Sequence, residues 1–143
     1  MASIVELREM SDDKLDELLE KAREDQFFLR FQKASARLEN YARLKQVRRE
    51  VAQLQTVLRM RCLAADAAAQ DPALAEALAG VDGWQANARF VYEDSAWQVN
   101  FVNGEGDEVA SALVNLNQKQ AASRRKRGLS EAVSPVLSYK VAG

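Results

Sequence analysis

The side chains best equipped for chemistry in this 143-residue chain are its cations. Between positions 26 and 61 stand Arg30, Lys33, Arg37, Arg43, Lys45, Arg48, Arg49, Arg59 and Arg61, against Glu39 and Glu50 alone, a net charge of +7. Guanidinium forks match phosphate oxygens, and each phosphate neutralised releases counterions, which makes such binding salt-sensitive. Arg30, Lys33 and Arg37 are spaced by three and four, so on a helix they share a face. A solvated face of intrahelical ion pairs needs acids in similar number, and here there are two for nine bases. Contact with nucleic acid is therefore the favoured reading. A second cluster, Arg124, Arg125, Lys126 and Arg127, reads either as an RNA anchor ordered on phosphate or as a solvated basic tail. Which of the two it is depends on what the first half of the chain binds.

Other chemistries find little support. The chain has no histidine, which removes histidine-based metal sites and a histidine-centred triad. The one cysteine, Cys62, cannot form an internal disulfide, and without a histidine to activate it it reads as a small apolar residue near a helix end rather than a nucleophile. Glu93 with Asp94 and Asp107 with Glu108 are adjacent pairs in expected turns, where carboxylates are solvated more often than catalytic. No catalytic residue, metal site or cofactor is expected, and the chain does not read as an enzyme. No run is apolar enough to insert into a membrane, which takes roughly 20 residues. The opening residues, interrupted by Glu6 and Glu9, do not read as a secretory signal.

The cations must be held by helices. No Pro or Gly interrupts residues 1–71. Ser11 is a candidate N-cap, with Asp12 and Asp13 where the helix dipole favours acids. Leu15, Leu18, Leu19, Ala22 and Leu29 recur at helical spacing, with Gln26 the one polar intrusion, and Phe27, Phe28 and Phe31 add aromatic surface. This helix is expected to end within 34–39, and Asn40 is a candidate cap for a second. There Leu44, Val47, Val51, Leu54 and Leu58 step by three and four, the spacing of a coiled-coil seam. Two such helices joined by a short link form an antiparallel hairpin.

Beyond position 62 the pattern changes. Residues 62–80 are alanine-rich and read as a helical continuation, with a break at Asp71-Pro72 and a short helix over 72–79 closed by Gly80. From Gly83 the period becomes two: Ala86, Ala88, Phe90 and Tyr92, then Trp97, Val99 and Phe101, predict a β-hairpin with one apolar face. Trp84, Phe90, Tyr92, Trp97 and Phe101 read as a small core in preference to a base-stacking platform. Asn103-Gly104-Glu105-Gly106 is a turn, and 109–116 fits a third strand or a short helix. The tail 129–143, with Pro135, is expected to be irregular. The whole-chain net charge of −1 conceals blocks: −5 over 1–25, +7 over 26–61, −8 over 62–118 and +5 over 119–143. Blocks of opposite sign suggest partners of different sign, and the acidic one suits protein better than RNA.

The ordered residues of the first sixty positions carry a resemblance. Leu7 to Ser11 opens it. An acidic, leucine-bearing helix follows, then a block with Phe27, Leu29, Arg30, Phe31, Gln32 and Ala34. The second helix adds Lys45, Val47, Arg48, Arg49, Val51, Ala52, Thr56, Val57, Leu58 and Arg61. Over residues 4–62 the chain resembles the large-subunit ribosomal protein L-twenty-nine family of the bacterial and plastid kind. Gln26 and Phe28 depart from its pattern. The resemblance implies a helical hairpin bound to large-subunit rRNA, beside the L-twenty-three family member near the nascent-chain exit, where targeting factors and chaperones dock. It carries Arg30, Lys33, Lys45, Arg48, Arg49 and Arg61 over as rRNA contacts; Arg37, Arg43 and Arg59 are added from charge.

The expected organisation is a mainly α chain: a two-helix coiled-coil hairpin over 1–62, a helical linker over 63–80, a small β-containing extension over 81–118 and a basic, extended tail over 119–143. The expected function is that of a structural constituent of the large ribosomal subunit, in a chloroplast stroma or a bacterial cytoplasm. The competing reading is a coiled-coil adaptor that joins other proteins through the hairpin and the extension. An adaptor would more often pair its charges along the helix face.

Overall fold

The computed structural model describes residues 3–117 and 134–142. The chain divides into two compact units, Met1–Met60 and Arg61–Gly143.

The first unit is helical. A six-residue helix, α1 (Ile4–Glu9), opens it and was not anticipated. Its cap is reciprocal: Ser3 Oγ accepts from the Glu6 N–H at 3.3 Å, and Glu6 Oε2 accepts from the Ser3 N–H at 2.8 Å. Two extended residues, Met10 and Ser11, then redirect the chain into α2 (Asp12–Ala34). Ser11 is the N-cap of α2 by position, although its side chain makes no capping bond. The helix ends in a Schellman motif without glycine. Arg37 N–H reaches Gln32 O at 2.9 Å, Ala36 N–H reaches Lys33 O at 3.2 Å, and Ala36 takes φ 54°. Asn40 then fulfils its expected role, its Oδ1 accepting from Ala42 N–H at 3.0 Å at the start of α3 (Tyr41–Ala69).

Two clusters hold α2 against α3. Leu15, Leu19 and Ala22 pack with Leu54 and Val57, joined by Leu7 of α1 and flanked by Met10, Leu18, Val51 and Leu58. Leu29 packs with Leu44, Val47 and Leu38 of the connecting turn. Early α2 thus meets late α3 and late α2 meets early α3, which makes the pair antiparallel. Of the expected seam, Leu44, Val47 and Leu54 are buried, Val51 and Leu58 are only half so, and Val57, which was not expected there, is fully buried. Gln26, the polar intrusion, is half-buried at the edge of the stripe.

The second unit is larger than the expected hairpin. Helix α4 (Pro72–Ala79) begins where Asp71 caps it, Oδ1 accepting from Ala73 N–H at 3.2 Å, and closes at Gly80. Then β1 (Gln85–Val91), β2 (Ala96–Val102), β3 (Glu108–Val114) and β4 (Val136–Val141) form one antiparallel sheet in chain order. The open choice over 109–116 resolves as a strand. The expectation of an irregular tail fails at β4: Ala110, Ser111 and Ala112 pair with Val141, Lys140 and Tyr139.

One sheet face is the core. Phe90 opposes Trp97, Ala88 opposes Val99 and Ala86 opposes Phe101; Val99 and Phe101 in turn oppose Ala112 and Ala110. Trp84 meets Phe101 edge-to-face at 5.4 Å, and Phe90 meets Trp97 at 5.1 Å. Trp97 and Phe101 are buried, so for them the core reading of the aromatics holds. Helix α4 lies against β3 and β4, and its Leu74 and Leu78 are buried. The β2–β3 turn is built by Asn103, whose Oδ1 accepts from the N–H groups of Glu105 and Asp107 at 3.0 and 2.9 Å. Gly106, at φ 93°, occupies the one position there that a side chain would strain.

Candidate nucleic-acid interface

The seam fixes where the cations of α3 point. At roughly 100° of turn per residue, Arg48, Arg59, Lys45 and Arg49 fall within an arc of about 100° on the side away from the buried stripe. All four are exposed. None of their side chains makes a hydrogen bond or ion pair with another described residue. A helix face carrying four long cations with no acid to hold them is free to reach along a phosphate backbone.

The end of the hairpin adds a second group. Arg30 and Lys33 on α2, Arg37 in the turn and Arg43 in the first turn of α3 are exposed. Interleaved with them are exposed aromatics: Phe27 at 67 %, with Phe28, Phe31 and Tyr41 similarly open. Opposite Leu29 on the helical wheel, Arg30, Phe27, Phe31 and Phe28 follow one another round the outer side of α2. Phe27 and Phe28 meet edge-to-face at 6.0 Å, and Lys33 Nζ stands 6.0 Å from the Tyr41 ring centroid. A two-helix hairpin has its core on the facing side only, so these rings have no core to enter. Rings that stack and cations that pair, alternating on one surface, suit a single-stranded or irregular RNA segment.

Arg61 stands apart. It is buried at 8 % exposure. It lies seven residues beyond Leu54, two turns on at nearly the same helical angle, so the seam carries it inward. The heptad spacing was the signal for this, and a carry-over from the family pattern by position overlooks it. Cys62, one position on, is an exposed free thiol, and because α3 runs to Ala69 it is not at a helix end. The second basic cluster, Arg124, Arg125, Lys126 and Arg127, lies outside the described residues.

Residues 5–61 match the family described as ribosomal L29 protein. The large ribosomal subunit protein uL29 of Mycobacterium sp. (strain KMS) is 54 % identical over 56 residues, covering 39 % of this chain and 73 % of that protein. The chain belongs to the ribosomal L29 family. Its uL29 relatives from Saccharopolyspora erythraea and Streptomyces griseus are each 48 % identical over 56 residues, with 70 % and 76 % of their lengths covered and 39 % of this chain in both cases. The uL29 match ends where the first compact unit ends, and the sheet unit falls outside it. Among the described residues no group of three or more acids, histidines or cysteines is placed to hold a metal ion, and no helix is long and apolar enough to cross a membrane.

Proposed function

We propose that this L29-family chain is a structural constituent of the large ribosomal subunit that binds large-subunit rRNA through the outer face of its hairpin. The observation that carries the reading is the unpaired cationic arc of Lys45, Arg48, Arg49 and Arg59 on a hairpin that matches the ribosomal L29 family. Arg30, Lys33, Arg37 and Arg43 extend the contact around the turn, where Phe27, Phe28 and Phe31 stack on unpaired bases. Arg61, carried over by the family pattern as a further contact, is buried at 8 % exposure and stands outside this face. Arg124, Arg125, Lys126 and Arg127 form a second anchor on rRNA.

Family membership supports a finer placement: beside the L-twenty-three family member near the polypeptide tunnel exit, within reach of targeting factors and chaperones. The ribosome is of the bacterial type, in a bacterial cytoplasm or a chloroplast stroma. The organisation that goes with this function is a hairpin over 1–62, a helical linker over 63–80 and a sheet-bearing extension, with the basic cluster Arg124, Arg125, Lys126 and Arg127 falling between β3 and β4 in the sequence.

The test is sedimentation of tagged protein from lysate through sucrose gradients at moderate and high salt. Co-migration with the large subunit, lost progressively as salt rises, is the expected result. Migration at the top of the gradient at every salt concentration would overturn the ribosomal reading in favour of the adaptor.

A further inference from the structure

The sheet ends in two edge strands, and they differ. No large apolar side chain of β1 is exposed, and its Arg89 points to the outer face. On β4, Leu137 is 47 %, Tyr139 51 % and Val141 44 % exposed. Tyr139 and Val141 stand opposite the buried Ala112 and Ala110, so their side chains lie on the core face of the sheet at the point where its cover runs out.

The backbone of the same residues is also open. Ala142 N–H donates to Val109 O at 2.9 Å. In an antiparallel ladder the bonded residues recur every second position, so with the register Ser111–Lys140 it is Lys140 and Ala142 that turn their N–H and C=O groups toward β3. Tyr139 and Val141 turn theirs to the free edge, where no described strand takes them. Exposed apolar side chains and unpaired backbone groups on the same alternate residues are what an incoming strand requires.

The charges around the strand select the occupant. Asp71, which accepts from Ser134 Oγ at 3.4 Å, marks the start of β4, and Glu108, with Asp107 and Glu105 of the β2–β3 turn, marks its end. Acids at both ends repel a phosphate backbone. A second copy paired antiparallel would bring the Asp71 end of one β4 against the Glu108 end of the other, like charge on like. We infer that the free edge of β4 receives an extended segment of a basic ribosomal protein, which adds a fifth strand, covers Tyr139 and Val141 with apolar residues at alternate positions and places Lys or Arg near the acidic ends. The inference rests on the ribosomal reading above.

Hydrogen exchange of the full chain, free and within purified large subunits, tests it, together with a benzoyl-phenylalanine cross-linker in place of Tyr139. We expect exchange across β4 to slow by about tenfold or more in the subunit, and the cross-link to join a protein chain rich in Lys and Arg. A Y139K chain is expected to retain the slow exchange of β2 when free, to sediment with the subunit, and to lose the added protection of β4. Equal exchange of β4 in the free and assembled chain overturns the inference, as does a cross-link to rRNA or to a second copy, or protection that survives in Y139K. In these outcomes the chain still sediments with the subunit, so only the edge inference fails. A chain that never sediments with the subunit overturns both readings.

Discussion

Replacing Lys45, Arg48, Arg49 and Arg59 together by alanine removes the cationic arc and leaves the seam untouched, because all four side chains are exposed and bond to no described residue. Alanine favours helix, so α3 keeps its fold. Each neutralised phosphate contributes about 0.7–0.9 to the slope of log affinity against log salt, so the fourfold substitution lowers the slope by about 3. Between 50 and 200 mM salt, a fourfold change, the native chain is then expected to lose about 60-fold more affinity than the variant. The assay is binding to large subunits stripped of the endogenous family member, read by sedimentation across a salt series. R61L is the control: it removes one charge, as R49A does, but a buried one, and is expected to leave the slope unchanged. Two results would refute the reasoning: an unchanged slope in the fourfold variant with its helix content intact, or a slope change in R61L as large as that of R49A alone.

Four further outcomes are expected. Leu54→Ala, at a fully buried seam position, should cost about 2–5 kcal/mol in urea unfolding, and Leu58→Ala, half-buried, clearly less. Ala36→Gly should raise stability by up to about 1 kcal/mol, because Ala36 holds φ 54° in the Schellman turn of α2; a loss of stability would contradict the strain argument. Asp71→Ala should cost about 0.5–2 kcal/mol through loss of the α4 cap, visible as faster exchange of the Ala73 amide. A chain ending at Ala65 should still sediment with the large subunit, since the exposed cations of the hairpin precede it; a soluble truncated chain that fails to assemble would shift the main anchor to Arg124, Arg125, Lys126 and Arg127.

The hairpin was legible because two signals agree along it: helical spacing of Leu15, Leu19, Ala22 and Leu29, and the three–four steps from Leu44. What was missed had quieter signals. Helix α1 is announced by Ser3 and Glu6 at capping-box spacing, but its one buried side chain, Leu7, shows no period by itself. The burial of Arg61 follows from the heptad that starts at Leu54, which a carry-over from the family pattern by position passes over. Val57 in place of Leu58 reflects a seam that drifts around a straight helix. Strand β4 carries the period-two alternation Leu137, Ser138, Tyr139, Lys140, Val141, yet it stands more than twenty residues from β3 and next to Pro135. Its partner could be known only once the sheet had formed, because pairing is a non-local property that propensity reads poorly.

The two charge blocks do not carry equal information. In the sheet unit many of the acids stand in turns and at a cap, while Asp66 and Glu76 lie within helices and Glu108 on β3. Asp71 caps α4, Glu105 and Asp107 lie in the β2–β3 turn, and Glu93 and Asp94 stand between β1 and β2. Asp and Asn are favoured there by turn chemistry whatever the partner. Of the residues in the four strands only Glu108 is acidic, so acidity does not disqualify the strands from pairing. Lys45, Arg48, Arg49 and Arg59 of α3 have no such local occupation: they cap no helix end and sit opposite the seam. Four solvated cations on one arc repel one another in the free chain, and that cost is offset only when anions are bound. The sign of the helical unit therefore speaks of its partner, whereas that of the sheet unit speaks first of its turns. For that reason recognition by the sheet is sought in the open backbone of β4, with charge deciding among the occupants only after the edge has defined what can bind.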